Sequence, residues 1–130
     1  MIKMTQQELR CKDRIDGSWK YTKSQIKELL EAENYQGLEE FGYGFDYVRS
    51  NTFEDQEEPY YRWILSGGGP SSEIRFYEKE KICHNEIEYV FMDWFDGAIK
   101  DISIDEIGIL IRGYFDGSII FPNKEEEREY

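Results

Sequence analysis

The chain has 130 residues, 16% of them aromatic, with a net charge of −12 at pH 7. A single-domain length and that aromatic content exclude a disordered chain, and the sequence has no apolar run of 18 residues to span a membrane. The negative charge opposes direct contact with nucleic-acid phosphates and with anionic membranes.

The charge is unevenly placed. Residues 1–30 hold seven Lys/Arg against four Asp/Glu, whereas residues 31–58 hold one against nine. The opening "MIKMTQQELRCKDRIDG" has no apolar segment of the kind found in secretory leaders. Cys11 and Cys83 match no metal or redox spacing, and a reduced, cytoplasmic chain free of cofactors is expected.

Thr5 and Glu8 read as a capping box opening a short helix to about Arg14, ended by Asp16-Gly17. Thr22 and Gln25 read as a second box. Ile26, Leu29 and Leu30 then give one helical face, predicting a helix over about 23–33. In "FGYGFDYV", 41–48, Phe41, Tyr43, Phe45 and Tyr47 alternate with period two and predict a strand with an aromatic face. Gly42 and Gly44 would let another backbone or a ligand come close. Residues 50–59, "SNTFEDQEEP", read as a polar surface loop.

Strands follow over 60–66, 73–78 and 86–94, joined by short connections that favour an antiparallel meander. Ser103 and Glu106 read as a third capping box before a helix over about 104–114. Residues 118–121, "SIIF", suit one more short strand, and from about 123 the chain reads as an acidic solvated tail. The expectation is a single α+β domain: an antiparallel sheet of about four strands with helices on one face.

Four stretches invite a chemical reading. "LSGGGPSSE", 65–73, lacks the lysine and the following helix of a phosphate loop, and reads as a hairpin turn. Asp93 and Asp96, joined by Glu73, Glu86 or Glu88, would make a metal-dependent nuclease or hydrolase if they converged. Cys83 and His84 are adjacent, so on a strand they would point to opposite faces. The fourth is the acidic stretch itself. Glu39, Glu40, Asp46, Glu54, Asp55, Glu57 and Glu58 are interleaved with Phe41, Tyr43, Tyr47 and Phe53, a composition suited to a basic protein surface.

"ILSGGGPSSEIRF", 64–76, followed by "IEYVFMDWFDG", 87–97, resembles a pattern of uncharacterised short proteins of phages, plasmids and conjugative elements. That pattern is L-S-x-G-G-P, a strand, a second aromatic strand, then D-W-F or D-W-G. Gly67 to Pro70 and Asp93-Trp94 are the shared positions. The resemblance implies a mobile-element origin, and small acidic proteins of that origin include anti-CRISPR and anti-restriction inhibitors. The expected function is therefore a non-catalytic inhibitor of a basic, nucleic-acid-handling host protein, a CRISPR effector or a restriction enzyme. The alternatives are the metal-dependent hydrolase and a homodimer built on a strand edge or aromatic face.

Overall fold

A computed structural model describes residues 10–67, 70–81 and 84–116. In chain order these form α1 (Cys11–Glu31), α2 (Tyr35–Phe41), β1 (Gly44–Val48), β2 (Tyr60–Ser66), β3 (Ser71–Lys81), β4 (His84–Asp93), β5 (Asp96–Asp101) and α3 (Glu106–Asp116). The strands form one sheet in sequential order, every neighbouring pair antiparallel. The α+β architecture matches the expectation, with five strands in place of about four. Thr5, Glu8, the segment 118–121 and the tail from 123 lie outside the described residues.

Period-two burial builds the sheet's inner face. Tyr61, Trp63 and Leu65 of β2, Ile74 and Phe76 of β3, and Ile87, Tyr89 and Phe91 of β4 are all buried. Phe115 of α3 closes this core, its ring centroid 5.0 Å from that of Phe45, 5.1 Å from Trp63 and 5.7 Å from Phe76. Helix α1 packs across β4 and β5 on the same face.

The two helices expected before residue 33 are one. Cys11, Ile15, Trp19, Thr22 and Ile26 form a continuous buried stripe along α1. Burying a side chain such as Trp19 or Ile26 gives roughly 1.5–3 kcal/mol, whereas an interior glycine costs about 1. The stripe therefore outweighs Gly17, which sits exposed with open space around it.

Further expectations are corrected in whole or in part. Phe41 ends α2 rather than opening a strand, so β1 is shorter than 41–48. A side chain at Gly42 would lie 2.6 Å from the carbonyl oxygen of Ile64, so another backbone does come close there, while Gly44 meets open space. Ser103 does not cap α3. It is buried and exchanges hydrogen bonds with the backbone of Ile87, and Asp105 instead accepts from the amides of Ile107 (2.9 Å) and Gly108 (3.4 Å).

Strand β5 escaped the sequence reading because its inward positions, Asp96, Ala98 and Lys100, carry no large apolar side chain. Asp96 accepts from the backbone N–H of Cys11 at 2.7 Å, and Lys100 donates to Asp16 at 2.7 Å. The sheet's last strand is thus held to α1 by charge and a helix-end amide, with no apolar alternation to reveal it.

Candidate functional site

The outer face of the sheet carries a polar lattice made by the same alternation. The register sets Asp46, Arg62, Arg75, Glu88 and Asp101 in one row across all five strands. Arg62 donates to both oxygens of Asp46, at 3.0 and 2.7 Å. Arg75 donates to Glu73 at 2.7 Å and lies over the Tyr60 ring, 4.8 Å from its centroid. Tyr77 donates to Glu88 at 2.7 Å. Burial, then the Glu88 carboxylate, pushes the Tyr77 hydroxyl's pKa well above its ordinary value. Burial also raises that of Tyr60. For Arg75, burial works against the charged form, but the bond to Glu73 and its charge outweigh it and hold the guanidinium firmly protonated.

Over one end of this lattice folds the loop between β1 and β2. Its organiser is Gln56. The side-chain oxygen of Gln56 accepts from the amides of Thr52 (2.9 Å) and Phe53 (3.2 Å), and its nitrogen donates to the Glu58 carbonyl (2.5 Å). Its backbone carbonyl accepts from Asn51 at 2.8 Å. Asn51 and Asp55 take left-handed conformations, φ 62° and 59°, which short polar side chains tolerate. The loop bounds an open cavity of about 490 Å³. Glu54, Asp55, Glu57 and Glu58 line it together with Phe53, and Tyr60, Arg75, Tyr77 and Glu86 contribute from the sheet. Among the described residues, Glu54, Asp55 and Glu57 make no ion pair.

The expected binding residues are thus divided among several places. Phe53, Glu54, Asp55, Glu57 and Glu58 come together on the cavity. Asp46 lies on the same face of the sheet but is occupied by Arg62. Phe41 packs beside Trp63 and Tyr47 against Tyr61, on the inner face. Glu39 accepts from the Tyr114 hydroxyl at 2.8 Å, and Glu40 from Gln36 at 3.2 Å, both on α2. Partial burial and Glu39 push the Tyr114 pKa up to about 12. Tyr43 is exposed just before β1. Sequence reasoning missed Gln56, Tyr60, Arg75 and Tyr77, and placed Glu86 with the hydrolase carboxylates. The strand residues were accessible through the outward half of the alternation, whereas nothing local marks Gln56.

The carboxylates of the hydrolase reading do not converge. Asp93 and Asp96 lie on the inner side, where Arg14 donates to Asp93 at 2.5 Å and Cys11 and Arg10 donate to Asp96. Glu73 belongs to the outer lattice. Among the described residues, no group of three or more His, Cys, Asp or Glu side chains is placed to hold a metal ion. Cys83 lies outside the described residues, as do Gly68 and Gly69. The flanking Ser66 and Ser72 pair across adjacent antiparallel strands, as a hairpin connection requires.

Two of the five cations of α1, and Arg10 just before it, are spent on the fold. Arg10, Arg14 and Lys23 pair with Asp96, Asp93 and Asp105. Among the described residues Glu54, Asp55 and Glu57, beside the cavity, have no such counterweight. No helix of the described residues is long and apolar enough to cross a membrane. Comparisons with protein-family models, with curated proteins and with solved structures give no match.

Proposed function

We propose that the chain is a non-catalytic inhibitor carried by a mobile element, and that it binds a basic, nucleic-acid-handling host protein through the acidic loop at 53–58. A CRISPR effector is the first candidate partner and a restriction enzyme the second. The observation that carries the reading is the group of unpaired carboxylates, Glu54, Asp55 and Glu57, held beside exposed Phe53 by a loop that Gln56 has already ordered. Carboxylates on such a loop fit arginine and lysine sites that otherwise take phosphates, and Phe53 supplies an apolar anchor. Loop ordering before contact lowers the entropic cost of binding. The mobile-element origin rests on the resemblance of 64–76 and 87–97.

The test is association with purified CRISPR effectors and restriction enzymes, measured for the parent and for a variant carrying Glu54→Gln, Asp55→Asn, Glu57→Gln and Glu58→Gln. The reading expects an on-rate that falls as salt rises and drops by about tenfold or more in the variant at low salt. Binding indifferent to salt, or unchanged by the four substitutions, would remove the mechanism.

A further inference from the structure

We infer that the cavity beside the acidic loop is a receptor for a single arginine side chain, which enters it and is held by rings and carboxylates together. This deepens the acidic-loop reading and rests on it for the identity of the partner. The pocket itself rests on what the sheet adds to the loop. Its volume of about 490 Å³ lies within the roughly 300–1,000 Å³ of small-ligand pockets. Carboxylates of the loop and the rings of Tyr60 and Tyr77 line it jointly.

Three kinds of group in this lining have a binding capacity that the fold does not use. Among the described residues, Glu54, Asp55 and Glu57 make no ion pair. The Phe53 ring is 49% exposed and stacks on no other ring among them. Tyr60 lines the cavity while only 2% exposed, and its hydroxyl makes no hydrogen bond among the described residues. A tyrosine buried to that degree ordinarily finds a partner for its hydroxyl. That vacancy distinguishes the pocket from a merely solvated acidic surface.

The ligand that satisfies all three is a planar cation with several N–H donors. A guanidinium donates to carboxylates and to a hydroxyl oxygen, and its face stacks on a ring. A bare metal ion does not suit the site, because no group of three or more His, Cys, Asp or Glu side chains among the described residues is placed to hold one. An ammonium lacks the plane and the fork of donors. The cavity already contains the pattern once. Arg75 lies 4.8 Å from the centroid of the Tyr60 ring and donates to Glu73 at 2.7 Å. The Arg75 charge is offset by that carboxylate, so the three free carboxylates set the sign of the pocket.

The experiment is an NMR titration of the full chain with N-acetyl-arginine amide, N-acetyl-lysine amide and N-acetyl-citrulline amide. Citrulline keeps the shape of arginine without its charge. The arginine amide is expected to give saturable shifts at the amides of 53–58, Tyr60, Tyr77 and Glu86, with a Kd on the order of millimolar. The citrulline amide should bind about tenfold or more weakly, and the lysine amide several-fold more weakly than arginine. Tyr60→Phe keeps the ring and should weaken the arginine amide about two- to tenfold. It should not lower stability in urea, because the lost hydroxyl has no hydrogen-bond partner within the described residues. Phe53→Ala should weaken it about two- to fivefold. Shifts that do not saturate, equal binding of the citrulline or lysine amide, or parent-like binding by both variants would overturn the inference. If effector binding is still lost with the four loop carboxylates, such a result leaves the acidic-loop reading standing without a pocket. Selective uptake of the arginine amide, with no effector or restriction enzyme bound, supports the pocket and removes that partner.

Discussion

Replacing Trp94 by glycine should make the chain more stable. Trp94 and Phe95 form the two-residue turn between Asp93 and Asp96, which pair with each other across β4 and β5. Trp94 has φ 59°, and Phe95 is not among the positive-φ residues. A positive φ at the first central position only is the pattern of a type II′ hairpin turn, which prefers glycine there. Holding an L-residue left-handed costs about 1–2 kcal/mol. Glycine loses about 0.5–1 kcal/mol more conformational entropy than other residues on folding. Trp94 is 90% exposed, so its removal sacrifices little burial within one chain. The balance favours glycine by about 0.5–1 kcal/mol, which for a domain of this size is roughly 2–5 °C in Tm. Urea unfolding measures it. Phe95→Gly is the control: without strain to relieve, it should destabilise by about 0.5–1 kcal/mol. Equal effects at the two positions, or a Trp94→Gly chain no more stable than the parent, would refute the strain argument.

Glycines separate helix propensity from packing: Gly17→Ala should stabilise by about 0.5–1 kcal/mol in chemical unfolding, because its surroundings are open. Gly108→Ala should destabilise by about 1–3 kcal/mol although it too is helical, because its Cβ would lie 2.6 Å from the Ile102 carbonyl oxygen. Gln56→Ala should cost about 1–2 kcal/mol for three lost side-chain hydrogen bonds and expose the Thr52 and Phe53 amides to faster hydrogen exchange; unchanged exchange would show that Gln56 does not order the loop. Acid should weaken the attachment of α1 and α3. The Cys11 amide, then Arg10, holds the Asp96 carboxyl below its usual range, and at Asp105 burial acts the other way but is outweighed by bonds from Trp19, Lys23, Ile107 and Gly108. Both folded values are depressed, so their stabilisation is present above the unfolded carboxylate pKa of about 4 and is lost as pH falls through the folded values. Asp96→Asn with Asp105→Asn should flatten the fall in Tm below about pH 4, and an unaltered slope would contradict the assignment.

Much of the sheet was legible because its strands bury one face. The alternation in 60–66, 73–78 and 86–94 is a local signal, and it sets Tyr61, Trp63 and Leu65, Ile74 and Phe76, and Ile87, Tyr89 and Phe91 on the inner face. What was hidden depends on partners distant in sequence. Arg14 meets Asp93, Cys11 meets Asp96 and Trp19 meets Asp105, so the charges that secure α1 look like ordinary surface residues until the chain folds. Gly17 misled because a local penalty of about 1 kcal/mol is visible in sequence, while the tertiary burial that overrides it is not. The acidic stretch 31–58 was legible as charge but not as shape. The fold separates Glu39 and Glu40 on α2 from the loop carboxylates, and turns Phe41 and Tyr47 into the core.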